Sequence, residues 1–338
     1  MAGFDLSFDL SGLTNPKAAE TSPGDEISRN LIIIGSGPAG LSAAIYAARA
    51  QRHPLILAGQ AFGGQAALTS GVENYPGFQE GIGGMALTEQ MAQQAKKFGA
   101  ELSYEDVTEF DGSVYPFIVK TLGATYRPRA IIVCTGAFPR KLDVPGESKF
   151  FGRGVSTCAT CDGYFYKERK VVVVGGGDSA LDEAIYLTRF AQEVIIIHRR
   201  DKLRGGAILQ ERAFTNPKIR FVWNTTVQEI LGDRVVMGVR MHNVQSGEVT
   251  DLTCDGVFIY AGLIPNTQLF QGQLKLNPDG YIVADKRQHT NIPGILAAGD
   301  VQDPYFRQII VAAGSGAAAA IEAERFLAEK DYEGPSTE

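Results

Sequence analysis

Short apolar runs that end in glycine alternate along this chain with alanine-rich stretches of helical spacing. Leu31-Ile32-Ile33-Ile34 is a β-branched run stopped by Gly35, the pattern of a strand buried on both faces. Residues 38–50 follow with helical periodicity, and residues 53–57 read as a second strand, which together make a βαβ unit. The pattern then repeats. Val171-Val172-Val173-Val174 predicts a strand, residues 179–191 a helix, and Val194-Ile195-Ile196-Ile197 the next strand. A strand running into a glycine turn follows each unit, at residues 130–136 and again at residues 256–262. The two halves therefore look like variants of one plan, an internal duplication. A last strand and turn fall at residues 294–300, and residues 309–327 are helix-like. The predicted fold class is α/β, with two Rossmann-like nucleotide-binding domains.

Residues 1–29 read as an N-terminal extension. Phe4, Leu6, Phe8 and Leu10 alternate with other residues at a strand-like period, and residues 16–25 are turn-rich. A frayed terminus, an added edge strand and an arm onto a second subunit all fit this pattern.

A length of 338 residues suggests roughly two domains. Hydrophobic residues at 44% and charged residues at 21% are ordinary for a globular protein, and a net charge of −6 argues against a nucleic-acid surface. No apolar run reaches the ~20 residues of a membrane helix, and no basic n-region precedes an apolar h-region. A cytoplasmic protein is expected. Four cysteines, two of them in a C-x-x-C pair, make no disulfide scaffold and point to redox or metal chemistry in a reducing compartment.

The chemistry begins at the glycine turns. Gly35-Ser36-Gly37-Pro38-Ala39-Gly40 is G-x-G-x-x-G between a strand and a helix. Its glycines permit the tight turn, the approach of backbone to a pyrophosphate, and helix-on-strand packing, while the helix N-terminus offers free N–H groups. The acid usual at the end of the next strand is missing, since that strand ends Leu57-Ala58-Gly59. The second turn, Gly175-Gly176-Gly177-Asp178-Ser179-Ala180, carries alanine in the third glycine's place, an accepted variant. After its strand comes His198-Arg199-Arg200-Asp201-Lys202-Leu203-Arg204. Arginines here suit a 2′-phosphate, because a guanidinium fork matches phosphate oxygens, so NADPH is expected over NADH.

Between the two fingerprints lies Cys158-Ala159-Thr160-Cys161-Asp162. Zinc would need four ligands, and neither a second C-x-x-C nor an H-x-x-x-H is present. A structural disulfide gains little from closing so short a loop, which leaves a redox dithiol. Read by itself, Asp162 is a helix-capping aspartate. Cys134 and Cys254, in or beside apolar strands, read as buried structural residues.

Two nucleotide fingerprints flanking a dithiol resemble the low-molecular-weight thioredoxin reductases, over residues 31–327. The resemblance implies FAD at the first site. There Gly35, Gly37, Pro38, Ala39 and Gly40 would meet it, with Gly64, Gln65 and Asn74 from the following loops and Gly136 from the strand turn. Gly299 and Asp300 would hold the ribityl chain, and Arg307, Gln308 and Ile309 would lie beside the flavin ring. At the second site Gly175, Gly177, Asp178, Ser179 and Ala180, with His198, Arg199, Arg200 and Arg204, would bind NADPH. Cys161 would lie against the flavin, Cys158 would attack the disulfide of thioredoxin, and Asp162 would return a proton. Tyr164 and Phe165 would help to grip thioredoxin. The resemblance further implies that the second domain is inserted in the first. The divisions are an FAD-binding domain at 30–137 and 266–338 and an NADPH-binding domain at 138–265. The domains would rotate about linkers at 136–139 and 262–265, and the protein would be a homodimer.

Three rivals stand beside this reading. Flavoprotein reductases acting on ferredoxin, flavodoxin or quinones share both fingerprints but lack the dithiol. Dithiol oxidases using oxygen keep the dithiol and lose the arginines. A non-catalytic redox regulator would not oxidise NADPH steadily with a disulfide acceptor.

Overall fold

The computed structural model describes residues 26–69 and 71–332, so the alternation from Phe4 to Leu10 lies outside the described residues. The first stretch runs β1 (Glu26–Ile34), α1 (Pro38–Arg49), β2 (Leu55–Leu57), α2 (Gly64–Ala67), α3 (Gly84–Lys97), β3 (Glu101–Ser103), β4 (Glu109–Asp111), β5 (Ile118–Lys120) and β6 (Thr125–Val133). After the crossing strand β7 (Ala137–Pro139) come α4 (Glu147–Phe150), β8 (Val155–Ser156), α5 (Ala159–Asp162), β9 (Lys170–Val174), α6 (Asp178–Leu187) and β10 (Glu193–Ile197). Then follow α7 (Ala207–Thr215), β11 (Ile219–Val222), β12 (Thr225–Gly232), β13 (Val236–Asn243), β14 (Val249–Thr253) and β15 (Gly256–Ile259). The chain returns through β16 (Leu263–Pro265) to β17 (Ile295–Ala297) and α8 (Ile309–Tyr332).

The predicted strand at Leu31 begins earlier than its apolar run suggests. β1 opens at Glu26 because its polar first half pairs with β6, where Glu26 takes both Arg127 guanidinium contacts at 2.8 and 2.9 Å. Residues 26–29, read as part of the extension, are therefore strand.

Two large sheets organise the molecule, one mixed, with β4 and β5 antiparallel, and one wholly parallel. The seven-stranded sheet has the order β3-β2-β1-β6-β5-β4, with β17 also paired to β6. Leu31 and Ile33 pack under α1, α3 and α8, while Ile32 and Ile34 face the opposite core with Phe110, Val119 and Phe270. That alternation explains why the strand is apolar at every position. The five-stranded sheet, β11-β10-β9-β15-β8, repeats the device. Val171 and Val173 pack on α6, and Val172 packs on the antiparallel sheet β12-β13-β14.

The two crossings between the sheets pair with each other. β7 and β16 form an antiparallel ribbon with Phe138 opposite Ile264 and Ala137 opposite Pro265. Its ends are fastened by Arg140 N–H to the Gly262 carbonyl and Asn266 N–H to the Gly136 carbonyl, each at 2.9 Å.

Candidate active site

Both glycine turns are built alike. A Cβ on Gly35 would collide with the Cys134 carbonyl, and one on Gly40 with the Gly35 carbonyl. Gly40 therefore serves packing and does not line the cavity described below. A Cβ on Gly37 would have nothing within 4 Å. In the second turn a Cβ on Gly175 would lie 2.7 Å from the Ala180 Cβ, whereas one on Gly177 would again have nothing within 4 Å. Open space over the middle glycine is what a pyrophosphate needs. The helices that follow, α1 and α6, begin at Gly37 and Gly177 with no side chain capping their N–H groups. Those amides remain available to an anion.

The first turn opens onto a cavity of about 740 Å³, lined by Gly35, Gly37, Pro38 and Ala39. Gly64, Gln65, Asn74 and Gly136 line its flanks. Gly299, Asp300, Arg307, Gln308 and Ile309 close another side, and Cys158 and Cys161 reach it from the second half. The volume falls in the usual range for small-molecule sites, and the lining runs from the glycine turn to the two sulfurs. Burial, helped by the neighbouring Asp303, pushes the Asp300 carboxyl up to about 6. A hydroxyl donor from a bound ligand would relieve that cost, so the residues present fit FAD.

Cys158 and Cys161 are joined as a disulfide, with Cα atoms 5.3 Å apart. Cys158 is the N-cap of α5, and its sulfur accepts the Cys161 amide at 3.2 Å. Asp162 does not line the cavity. It also makes no capping bond to the 3₁₀ turn that follows, which removes the capping alternative. Burial raises the Asp162 carboxyl above its ordinary range, against a hydrogen bond from Ser156. Burial alone pushes the Cys134 thiol up, and Cys254 is pushed up to about 12, so both are inert structural thiols as expected.

The second turn forms a separate surface. The loop after β10 folds back over it, with the Arg204 amide donating to the Gly176 carbonyl at 2.7 Å and the Gly206 amide to Asp178 Oδ1 at 2.7 Å. Arg199, Arg200 and Arg204 are exposed there. His198 differs from them. It is 5% exposed, packs over Gly176, and holds the Lys202 carbonyl through Nε2 at 3.0 Å. Its place is beneath the arginine loop, which it props. Ser179 and Ala180 sit in the first turn of α6, with Ala180 buried against Gly175.

The sequence reading passed over Glu183, Tyr260 and Thr160. Glu183 carried a signal: it falls on the Ala180, Ala184, Leu187 stripe of α6, where a carboxylate is out of place.

Known proteins resemble this chain over most of its length. The family described as pyridine nucleotide-disulphide oxidoreductase matches residues 29–316. A thioredoxin reductase of Streptomyces coelicolor is 50% identical over 303 residues, which cover 89% of this chain and 94% of that protein. The crystal structure of thioredoxin reductase from Streptococcus pyogenes superposes with a TM-score of 0.86 at 43% identity, covering 90% of this chain and all of the other. The thioredoxin reductase of Lactococcus lactis, solved in an FR conformation, is 45% identical yet reaches a TM-score of only 0.61, covering 89% of this chain and 99% of the other.

Proposed function

The chain belongs to the pyridine nucleotide-disulphide oxidoreductases, and from that membership we propose that it reduces thioredoxin with electrons from NADPH, carried through FAD and the Cys158–Cys161 pair. One observation carries the reading: a single cavity joins the first glycine turn, Asp300 and both sulfurs. When bound, NADPH supplies a hydride and FAD relays its electron pair to a disulfide.

The chain's own residues do the rest. An electron pair delivered to the Cys158–Cys161 disulfide, with uptake of one proton, cleaves the S–S bond and leaves a thiolate on Cys158 and a thiol on Cys161, whose proton later passes to the second leaving sulfur. The Cys158 thiolate attacks the disulfide of thioredoxin, forming a mixed disulfide and displacing one thioredoxin thiolate. Asp162, whose carboxyl burial raises above its ordinary range, gives that thiolate its proton. Cys161 then attacks Cys158 Sγ, which restores the internal disulfide and releases the second thioredoxin thiol. Arg199, Arg200 and Arg204 hold the 2′-phosphate of NADPH, and His198 keeps their loop in place.

The FAD-binding domain comprises residues 26–137 and 266–332 and the NADPH-binding domain residues 138–265. The dithiol faces the cavity here, while the second nucleotide surface lies apart from it. Nicotinamide and disulfide must therefore use the flavin in turn, with the domains rotating about the β7–β16 ribbon. Two TM-scores as different as 0.86 and 0.61, at 43% and 45% identity, support two such arrangements within the family. Tyr164 and Phe165, 65% and 50% exposed beside the dithiol, offer an apolar grip for thioredoxin. Ile310 and Ile321 lie three helical turns apart on α8, and with Tyr46 on the adjoining α1 they are exposed, which supports a homodimer.

The test is anaerobic titration of the purified protein with NADPH, followed by addition of oxidised thioredoxin. A yellow protein that bleaches and then recovers its colour only with the disulfide acceptor supports the reading. Recovery with ferredoxin or a quinone and none with thioredoxin rejects it.

A further inference from the structure

Every backbone amide at the start of the dithiol helix has a partner, and two of those partners come from outside it. The Cys161 amide goes to Cys158 Sγ and the Asp162 amide to the Cys158 carbonyl, at 3.2 and 3.1 Å. The Ala159 amide donates to the Tyr260 hydroxyl at 2.8 Å, and Ala159 is fully buried. The Thr160 amide donates to the Glu183 carboxylate. So the two residues between the cysteines are each held through their backbone, one by the residue that follows β15 and one by α6.

Glu183 and Tyr260 also interact with each other. The Tyr260 hydroxyl accepts from Ala159 and retains a proton to donate, and the Glu183 carboxylate faces it. Burial and that carboxylate raise Tyr260 well above its ordinary range, so it keeps the proton throughout the working pH range. Glu183 is 9% exposed and lines the cavity. One carboxylate oxygen meets Arg307 Nη2 at 3.5 Å, and the other, Oε2, has no hydrogen-bond partner among the described residues. Arg307 comes from the other half of the molecule and adopts φ +51°, a conformation that residues with side chains rarely take. Asp182 is the nearest like charge acting on Glu183.

We infer that Glu183 and Tyr260 are positioning residues for the dithiol: they fix the Cys158–Cys161 turn from behind, and through Arg307 they register it against the flavin half. Tyr260 meets the second nucleotide turn only through its backbone and Cβ, at Gly175, whereas its hydroxyl and the Glu183 carboxylate act on the turn between the cysteines, so removing those polar groups should affect one step only. That step is delivery of electrons to the disulfide, because transfer between a cofactor and sulfur is sensitive to misplacement by about an ångström. Reduction of the flavin by NADPH takes place in the other domain arrangement and should be indifferent. The inference rests on the reading of the site as a flavin-fed dithiol.

The experiment uses the full-length holoenzyme and stopped-flow absorbance. Flavin reduction by NADPH and the onward transfer to the disulfide are timed separately, in Tyr260→Phe, Glu183→Gln and Glu183→Ala. The midpoint potential of the dithiol and the hydrogen exchange of the peptide bearing Ala159 and Thr160 are measured on the same samples. In Tyr260→Phe and Glu183→Ala the onward transfer should slow by about tenfold or more, with flavin reduction within about twofold of the parent. Glu183→Gln keeps an acceptor for the Thr160 amide and should recover part of the rate. Amide exchange at Ala159 should quicken in Tyr260→Phe. Unchanged onward transfer in Tyr260→Phe and Glu183→Ala overturns the inference, and so does equal slowing of both steps in the conservative Tyr260→Phe. If the parent enzyme itself passes no electrons to its disulfide, the functional reading fails instead, and that result is seen before any variant is made.

Discussion

Gln308 links the flavin half to Thr160, one of the two residues between the cysteines. Its Nε2 donates to Thr160 Oγ1 at 3.2 Å, while its own carbonyl oxygen accepts from Asn74 Nδ2 at 3.3 Å. The same Nε2 lies 3.9 Å from Cys158 Sγ. One side chain thus joins two loops that the sequence could only place separately, and it does so at the wall of the cavity where the chemistry occurs.

The sulfurs are separable from the flavin. Cys158→Ser or Cys161→Ser should abolish thioredoxin reduction and leave reduction of the flavin by NADPH intact, since only the later step needs a thiolate. Visible absorbance and a thioredoxin turnover assay on each variant check both halves. Turnover at the parent rate in either variant would refute the path.

The arginine loop should set the choice of nicotinamide cofactor. Charge-assisted hydrogen bonds contribute about 1.5–3 kcal/mol each before non-additivity. Arg199→Ala combined with Arg200→Ala should raise KM for NADPH by about tenfold or more and move KM for NADH little. An equal loss with both cofactors would remove the 2′-phosphate from the account.

Asp162 should behave as an acid and not as a structural prop. Burial raises its carboxyl in the folded protein, so the protonated form persists above the usual carboxylate range. Turnover should fall as pH rises through that raised value, and Asp162→Asn should cost about 10²–10⁴-fold. The stability contribution of the group runs in the same sense with pH. A buried acid with a raised folded pKa stabilises the fold below its unfolded pKa, and that contribution is lost as pH rises through the folded one. Near neutrality Asp162→Asn should leave Tm unchanged or higher. A lowered Tm with normal turnover would restore a structural role.

Asp300 gives FAD binding a pH dependence. In the folded chain without a ligand its carboxyl sits at about 6, raised chiefly by burial. Accepting a hydrogen bond favours the ionised form, so the affinity of flavin-free protein for FAD should strengthen as pH rises through 6. Between pH 5 and 7.5 the change is about tenfold. Fluorescence titration measures it, and Asp300→Asn should flatten the curve. A steep curve in that variant would place the titrating group elsewhere.

Light scattering on the intact protein should report a homodimer. Replacing Ile310 and Ile321 with glutamine should shift it toward monomer if the exposed face of α8 is covered by a second copy. A monomeric parent protein would reject the assembly.

What was legible in the sequence was whatever is local. A strand, a turn and a helix lie within twenty residues of Gly35 and again of Gly175, so spacing alone identified both nucleotide turns. C-x-x-C is local too. The pairing of β7 with β16 joins segments more than a hundred residues apart, and no periodicity in three-residue strands foretells it. The sheet β12-β13-β14 was missed because its strands are only half apolar, with Arg240 flanked by Glu229 and Asp251 on the open face. Glu183, Tyr260 and Arg307 come from three distant stretches, and each has an ordinary reading where it stands. His198 was placed with the phosphate ligands because it adjoins them in sequence. It follows β10 directly and is buried over Gly176, whereas Arg199 is exposed.

The position of β17 also sets an order of events during synthesis. β6 takes β17 as a neighbour, and α8 supplies Ala313, Ala319, Ala323 and Leu327 to the core over Leu31 and Ile33. The sheet begun at Glu26 therefore cannot be finished until residues 295–332 have left the ribosome. The five-stranded sheet has all its strands once Ile259 is made. The part encoded in the middle is thus ready to fold while the part encoded first still waits with its apolar face uncovered. Nascent chains that stall between Ile259 and Ile295 carry that apolar surface uncovered.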